Sequence, residues 1–384
     1  MHHLRRTLLV RTTRWRRMSL YWVGAIIVGL TAVLFARLGD QCADLRTRLV
    51  IWHPWALLVL APSGFAFITW MTQTCFKGAQ GSGIPQTIAT LHMGNYDVID
   101  RILTLKISAG KIILTCFGLI CGASIGREGP SVQIGATIMH VFSRLLGQSN
   151  IVSKRSMILA GGAAGMAAAF NTPLAGGSFA VLVIKASAGL PGSVGRLAKR
   201  RPIMFSALCG LLTALIGLVS KGSTYGTGYA QAKAIFAGTD HYPASFFILK
   251  YLSMLISYCS GIPGGMFAPS LAIGAGIGGW IEQFLPHTTP GAVVLLGTVA
   301  YFCGVAQSPL TATIIVMEIC DDQQVTLALL ATAFLAFGVS RIICPKPLYI
   351  VLADRFLQTM DKPVVLSKSA PKKRDSASRE NLLS

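Results

Sequence analysis

Long apolar runs, broken repeatedly by glycine and proline, constrain the fold of this chain more than any other feature. The first run, residues 18–38, is about 20 residues long, which is enough to cross the hydrocarbon core of a bilayer. Charged residues make up 12% of the chain, whereas soluble domains carry about 25%. Irregular backbone persists at membrane depth only where protein or a water-filled cavity covers it. The sequence therefore predicts an all-α membrane protein with broken helices.

Basic residues cluster in three places in a chain whose formal net charge is +20. They lie near the N-terminus (residues 5–17), in one connector (196–201) and near the C-terminus (372–374). Positive charge that flanks apolar spans marks cytoplasmic segments, so this distribution argues against a nucleic-acid partner. We expect both chain ends to be cytoplasmic, and the protein to be a multi-pass protein of the cell (inner) membrane.

The same distribution divides the chain into segments. The predicted domains are a basic cytoplasmic arm (1–17), a shortened first membrane repeat (18–185), a basic connector (186–202), a second membrane repeat (203–362) and a polar cytoplasmic tail (363–384). The first apolar run lacks a small-residue cleavage site, so we interpret it as a retained helix rather than a signal peptide. The nine cysteines form no CxxC pair, and no histidine pair has zinc spacing. The sequence predicts no metal site, disulfide framework or cofactor.

The two halves of the chain resemble each other at matching positions. Residues 126–136 (GREGPSVQIGA) align without gaps on residues 265–275 (GMFAPSLAIGA), with six of eleven positions identical and an offset of 139 residues. Two further pairs align in the same order: 81–83 (GSG) on 226–228 (GTG) at an offset of 145, and 172–174 (TPL) on 308–310 (SPL) at 136. Similar offsets in the same order indicate a duplicated unit, and we predict that its copies are inverted in the membrane.

Each break between spans has the same pattern of glycines, then proline, then an apolar helix. Proline suits the first turn of a helix, where its missing N–H costs nothing. The unpaired N–H groups and the positive dipole end of such a helix can bind an anion without a full positive charge. Conduction needs binding that is weak enough to permit release. We therefore expect several broken or re-entrant helices to meet at a mid-membrane anion site.

Four segments carry a more specific resemblance. They are residues 81–85 (GSGIP), 126–130 (GREGP), 265–269 (GMFAP) and 346–349 (KPLY). In this order they resemble the signature regions of the CLC family of chloride channels and chloride/proton antiporters, and the resemblance extends over residues 18–362. It implies two inverted structural repeats in a lipid bilayer, chloride as the transported ion, protons as a possible second substrate, and a homodimer.

The resemblance implies roles for the residues that form a central anion site. Ser82 Oγ and Tyr349 OH would coordinate the anion together with the backbone N–H groups of Met266 and Phe267. Some nitrate-carrying members of the family have proline where this chain has Ser82, so the serine favours chloride.

The resemblance also implies an outer anion site and a gate. The backbone around Arg127 and Gly129 would form the outer site, and the Glu128 carboxylate would occupy it when ionised and leave it when protonated. One group would then serve as gate and as outer proton acceptor. An intramembrane carboxylate is costly and functional by default. A simpler interpretation is that Glu128 pairs with Arg127.

The chain departs from the family pattern after Pro173-Leu174, because it runs almost at once into the basic connector. We expect several of the family's membrane helices to be missing here. Family antiporters have an inner proton-relay glutamate about two turns after this motif, and the matching positions are Leu182 and Val183. The missing acid argues against proton coupling. The missing helices argue against the homodimer, since the family's interface uses them.

Two other functions remain open from sequence. One is a truncated family member that inserts in the membrane without transporting anions. The other is an intramembrane hydrolase with Ser82 as nucleophile, which needs a histidine base. His92 and His140 are the nearby candidates, and neither lies in a recognisable motif. The resemblance favours transport, so we predict that the protein is not an enzyme.

Overall fold

A computed structural model describes residues 2–93, 96–145, 147, 151–170, 197–198, 200–239, 242–285, 291–320, 325–343, 352–354 and 356–357. The first half contains α1 His2–Trp52, α2 Ala56–Thr74, α3 Ile84–His92, α4 Tyr96–Ile102, α5 Leu105–Ile120, α6 Glu128–Leu145 and α7 Ile151–Phe170. The second half contains α8 Pro202–Val219, α9 Tyr229–Phe236, α10 Ser245–Cys259, α11 Phe267–Glu282, α12 Ala292–Ala306, α13 Pro309–Cys320 and α14 Thr326–Ile343. The elements within these described ranges are helices, which confirms the predicted all-α class.

Four segments in the described part of the chain are long and apolar enough to cross a membrane. They are Trp22–Trp52, Ala56–Thr74, Asp97–Ile120 and Pro202–Val219. Shorter apolar helices of 10–17 residues follow in the second half. The first span is longer than the predicted residues 18–38, since α1 runs unbroken from the basic arm to Trp52. These spans agree with the predicted multi-pass membrane protein.

The prediction of one continuous span over residues 102–125 is wrong. α4 ends at Ile102 and α5 begins at Leu105, because Thr104 has extended backbone and its Oγ1 accepts a hydrogen bond from the backbone N–H of Ile107 (3.2 Å). This N-cap geometry starts a new helix. α5 then ends at Ile120, close to Gly122, whose left-handed backbone (φ 83°) is typical of a helix C-terminus.

Equivalent segments of the two halves meet in an antiparallel arrangement. The backbone N–H of Gly126 donates to the carbonyl of Gly265 (2.7 Å), and the N–H of Gly265 donates to the carbonyl of Gly126 (2.6 Å). These glycines are aligned in the internal repeat, so the exchange of hydrogen bonds places a local two-fold axis between them. α2 packs on its counterpart α8, and Ser206 Oγ donates to the carbonyl of Phe65 (3.0 Å) across this contact. The two structural repeats are inverted, as predicted.

Glycine pairs bring the helices that follow these segments close together. In the first half, a Cβ on Gly135 of α6 would overlap the carbonyl of Gly161 in α7. In the second half, a Cβ on Gly274 of α11 would lie 3.0 Å from the carbonyl of Gly297 in α12. Gly135 and Gly274 are separated by the repeat offset of 139 residues. Close backbone approach through small residues is how membrane helices associate, so both repeats anchor their broken helices in the same way.

Several sequence predictions fall outside the described residues. They concern the Pro173-Leu174 motif, Leu182, Val183, most of the basic connector and Tyr349. The predicted domain boundaries also remain predictions. Within the described part, α1 passes through residue 17 without a break, so the basic arm and the first span form one helix.

Candidate anion site

The loop before α3 holds a buried serine whose hydroxyl has no partner. Gly81 and Gly83 flank it with left-handed backbone angles (φ 71° and 99°), which glycine adopts without strain, and Pro85 lies in the first turn of α3. Ser82 is 2% exposed, and its Oγ forms no hydrogen bond with any described residue. A buried hydroxyl without a partner costs free energy. This position is therefore suited to a ligand that accepts a hydrogen bond.

Glu128 begins α6 and lies between the two repeats. The residue is 3% exposed, and its carboxylate interacts with the backbone N–H groups of Glu128 itself and of Ala268, in the first turn of α11. Its Oε2 lies beside Gly126 and Gly265 and has no hydrogen-bond partner among the described residues. The carboxylate thus lies at the N-terminal ends of two helices, where their dipoles favour negative charge.

Three helix N-termini converge at this point. A Cβ on Gly129 of α6 would overlap Ser82 Oγ, so the loop before α3 lies directly on the first turn of α6. A Cβ on Gly265 would lie 3.0 Å from the backbone nitrogen of Gly129, so the segment before α11 completes the cluster. Met266 and Phe267 are buried there, and the first N–H groups of a helix have no partner within it. The fold thus brings the described candidate residues of both repeats together.

Arg127 and Glu128 form no ion pair with each other in the structure. Arg127 Nη1 contacts Asp40 Oδ1 (2.7 Å) and the carbonyl of Ala36 on α1 instead. The guanidinium therefore ties α6 to α1. The simpler interpretation of Glu128, as a partner of its neighbour, does not describe this geometry, which leaves the carboxylate to the helix N-termini.

Two buried lysines also belong to this arrangement, although sequence reasoning did not single them out. Lys111 on α5 and Lys250 on α10 are both 0% exposed. Lys111 Nζ donates to the carbonyl of Gly81 (2.8 Å), whereas Lys250 Nζ donates to the carbonyls of Gly226 (2.8 Å) and Thr224 (2.9 Å). The lysines are 139 residues apart, so extending the repeat alignment beyond the Gly-Pro motifs would have found them.

This geometry is suited to binding a small anion without holding it tightly. Helix dipoles, one free hydroxyl and a lysine behind the loop all favour negative charge. The Glu128 carboxylate occupies the same locus, so an ionised glutamate competes with an anion and a protonated one does not. Within the described ranges no group of three histidine, cysteine or acidic side chains could hold a metal ion.

An inverted helical duplication with broken helices around an intramembrane anion locus defines a class of membrane ion-transport protein. Comparison with known families makes this specific. The model of the voltage gated chloride channel family matches residues 64–194 and 176–341. These two segments cover more than half of the chain, and the chain belongs to this family, as the four sequence motifs predicted.

Curated relatives match over most of their length. The chain is 24% identical over 429 residues to the H(+)/Cl(-) exchange transporter ClcA of Yersinia pseudotuberculosis, covering 88% of this chain and 87% of that protein. It is 24% identical over 381 residues to ClcA of Vibrio parahaemolyticus, covering 79% of this chain and 80% of that protein. Relatives of this name support anion transport as the general function.

Solved structures share the fold. A crystal structure of a slow cyanobacterial Cl⁻/H⁺ antiporter aligns with a TM-score of 0.73 and 22% identity, covering 89% of this chain and 99% of that chain. A CLC-type fluoride/proton antiporter aligns with a TM-score of 0.70 and 19% identity, covering 87% of this chain and 98% of that chain. These likenesses establish the inverted-repeat fold.

The alignments also bear on the shortened first repeat. The match with the Yersinia protein extends over 429 positions, more than the 384 residues of this chain, so the alignment contains gaps in this chain. The two matched segments of the family model overlap at residues 176–194. This is the stretch in which the sequence predicts missing helices, and it lies outside the described residues.

Proposed function

We propose that this chain transports chloride through the site formed by α3, α6 and α11, with Glu128 as its gate. The observation that carries the proposal is the buried Glu128 carboxylate at two helix N-termini, close to the unpartnered Ser82 hydroxyl. In this proposal Ser82 Oγ, the backbone N–H groups of Met266 and Phe267, and Tyr349 OH bind a central chloride. Backbone groups of Arg127 and Gly129 bind it at the outer position. The name of the curated relatives, H(+)/Cl(-) exchange transporter, supports chloride as the substrate.

The gate follows from competition between two negative groups for one place. The ionised carboxylate occupies the N-terminal ends of α6 and α11 and excludes chloride from them. Protonation neutralises the carboxylate, weakens its attraction to the dipoles and frees the position. Chloride flux should therefore rise as the external pH falls.

Chloride efflux from reconstituted vesicles tests the transport function. Vesicles containing purified protein should release chloride faster than protein-free vesicles once a potassium ionophore dissipates the membrane potential, with faster efflux at lower external pH. Glu128→Gln should make efflux independent of pH. The matched control is Asp44→Asn, since Asp44 is an exposed acid on α1, and this variant should keep the pH response.

Two outcomes would contradict the proposal in different ways. Efflux no faster than from protein-free vesicles would contradict transport and favour the truncated, non-transporting alternative. Efflux that keeps its pH response in Glu128→Gln would contradict the gate and leave transport standing.

We further propose that the chloride flux is uncoupled from protons or only weakly coupled to them. The relatives' name favours proton exchange, but an exchanger needs a second proton carrier on the inner side. The sequence has no Asp or Glu between Glu128 and Asp240, and Glu128 is the one buried acid among the described residues. Moving a proton through an apolar stretch without a carrier is very costly. A chloride gradient should drive no proton uptake detectable with a pH electrode, and pumping at fixed stoichiometry would overturn this proposal.

No observation favours the hydrolase alternative. In the described part of the chain Ser82 Oγ has no hydrogen-bond partner. His140 Nε2 is paired with Asp100 Oδ1 (2.7 Å), and His92 is exposed at the end of α3. Neither histidine contacts the serine, so neither is placed to act as its base.

A further inference from the structure

A second polar cavity lies away from the anion site, at the ends of α1 and α8. Its volume is about 610 Å³, and its wall is formed by the last turns of α1 and α8, the loop after α8 and the start of α10. Both helices begin next to basic clusters, at residues 5–17 and 196–201. The cavity is at their opposite ends, which the positive-inside rule places on the outer side of the membrane.

Arg46, which lines this cavity, has more hydrogen-bond donors than partners. A guanidinium carries five N–H donors. Arg46 Nη1 is buried against Gly226 and forms no hydrogen bond with a described residue. Its Nη2 makes one long hydrogen bond to Thr47 Oγ1 (3.5 Å). The other donors are available to a ligand that enters the cavity.

The cavity also has an excess of positive charge. Lys221 lines it and is held by a left-handed backbone (φ 52°), which is uncommon for a residue with a side chain. Lys250 lies beyond Arg46, with both of its hydrogen bonds made to carbonyl groups rather than to a carboxylate. Asp44 precedes Arg46 on α1 but is exposed, and the two form no ion pair. A negatively charged ligand would supply the missing counter-charge.

The rim of the cavity indicates which kind of anion it accommodates. Ile51 and Val219 line it and are 72% and 74% exposed, so large apolar side chains face the lipid next to the cations. The serine hydroxyls of Ser220 and Ser223 stand close to them in the lining. Phosphate oxygens suit the guanidinium, ammonium and hydroxyl donors, whereas the apolar rim suits acyl chains. A free phosphate ion would make no use of that rim.

We propose that this cavity binds the phosphate headgroup of an anionic phospholipid, with Arg46 and Lys221 as its anchors and Ile51 and Val219 against its acyl chains. The occupied guanidinium would also brace the loop at Gly226, on which Arg46 packs. The headgroup would thus stabilise the second repeat from the outer side of the membrane. This site is separate from the chloride site and does not depend on it.

Lipid binding by the purified full chain tests the proposal. After exchange into detergent, native mass spectrometry should detect retained phosphatidylglycerol and little phosphatidylcholine. Arg46→Gln should weaken phosphatidylglycerol binding by about tenfold, as for loss of a charge-assisted hydrogen bond. Lys221→Asn should weaken it similarly, and asparagine suits the left-handed backbone at this position. The matched control is Arg48→Gln, because Arg48 is exposed on α1 outside the cavity lining, and this variant should bind like the unmodified protein.

Each other outcome has a defined meaning. Equal binding of the two lipids, or equal losses in Arg46→Gln and Arg48→Gln, would overturn the proposal. Displacement of phosphatidylglycerol by millimolar inorganic phosphate would assign the cavity to free phosphate and overturn the lipid assignment. If Arg46→Gln does not fold, normal lipid binding by Lys221→Asn would overturn the proposal by itself, because this substitution lies in an exposed loop.

Discussion

The loops at residues 81–83 and 226–228 are two copies of one structure with different uses. Gly81 and Gly226 have the same left-handed backbone angle (φ 71°), and the closing glycines Gly83 and Gly228 are also left-handed. A fully buried lysine donates to the first glycine carbonyl in each copy (2.8 Å). The backbone and the lysine are therefore common to both repeats and serve the scaffold.

The copies differ in the hydroxyl between the glycines. Ser82 Oγ is buried without a described partner, whereas Thr227 Oγ1 accepts a hydrogen bond from the backbone N–H of Tyr229 (3.2 Å). The residue aligned with Glu128 is Phe267, whose ring packs edge-on against Phe302 with centroids 5.3 Å apart. The first copy leaves polar groups free for a ligand, and the second copy satisfies its groups internally. Duplication thus supplied the frame, and a few side chains decide which copy binds the anion.

The largest expected effect comes from making the first repeat resemble the second at one glycine. Gly129 aligns with Ala268, and a Cβ on Gly129 would overlap Ser82 Oγ. Gly129→Ala should therefore weaken halide binding by about a hundredfold, the upper end of what overpacking of about 3 kcal/mol produces. Isothermal titration calorimetry with chloride measures this. The control is Ala268→Gly, for which we expect a stability loss of about 1 kcal/mol and nearly normal affinity; wild-type affinity in Gly129→Ala would contradict the predicted contact.

The buried lysines should give the next largest effect. Lys111→Met and Lys250→Met each leave a buried glycine carbonyl without its donor, so each should lower the free energy of unfolding by about 1–3 kcal/mol. Only Lys111→Met should also weaken chloride binding, by about tenfold, because its loop carries Ser82. Thermal unfolding and calorimetry on the same samples separate the two effects. Equal losses of affinity in both variants would mean that the lysines act through the whole fold rather than through one site.

The smallest expected effects come from the two hydroxyls themselves. Ser82→Ala removes one donor to the anion and should weaken chloride binding by about 1–3 kcal/mol, or about tenfold. Tyr349→Leu should act similarly if its hydroxyl reaches the same chloride. Thr227→Val removes a hydrogen bond to a helix N-terminus, so it should cost about 1 kcal/mol of stability and leave chloride affinity unchanged. Weaker binding in Thr227→Val alone would reverse the comparison.

Much of this fold could be predicted because the repeat is written in the sequence. The aligned Gly126 and Gly265 form the bridge between the halves, and the membrane class and the family follow from the apolar runs and the motifs. The site residues Ser82 and Glu128 could be proposed from the same motifs. The helix break at Thr104 could not, because one capping threonine inside an apolar run leaves the hydropathy unchanged.

Contacts between distant parts of the chain were the harder part to predict. Arg127 pairs with Asp40, 87 residues away, and only the fold brings them together. Lys111 resembles a flanking charge next to Lys106 in the sequence, although it is fully buried. The repeat offset was a usable signal for Lys111 and Lys250, but it becomes persuasive only once both are seen to contact equivalent carbonyls. Arg46 and its cavity leave no motif at all.

The most direct test of the central claim is to locate a halide in the protein. Crystals grown in bromide and measured at the bromine absorption edge would show each bound ion as an anomalous difference peak. The account predicts a peak within hydrogen-bonding distance of Ser82 Oγ, between the N-termini of α3, α6 and α11, and no peak at Thr227. A peak at Thr227 and none at Ser82, or equal peaks at both loops, would contradict the claim that the first repeat alone binds the anion.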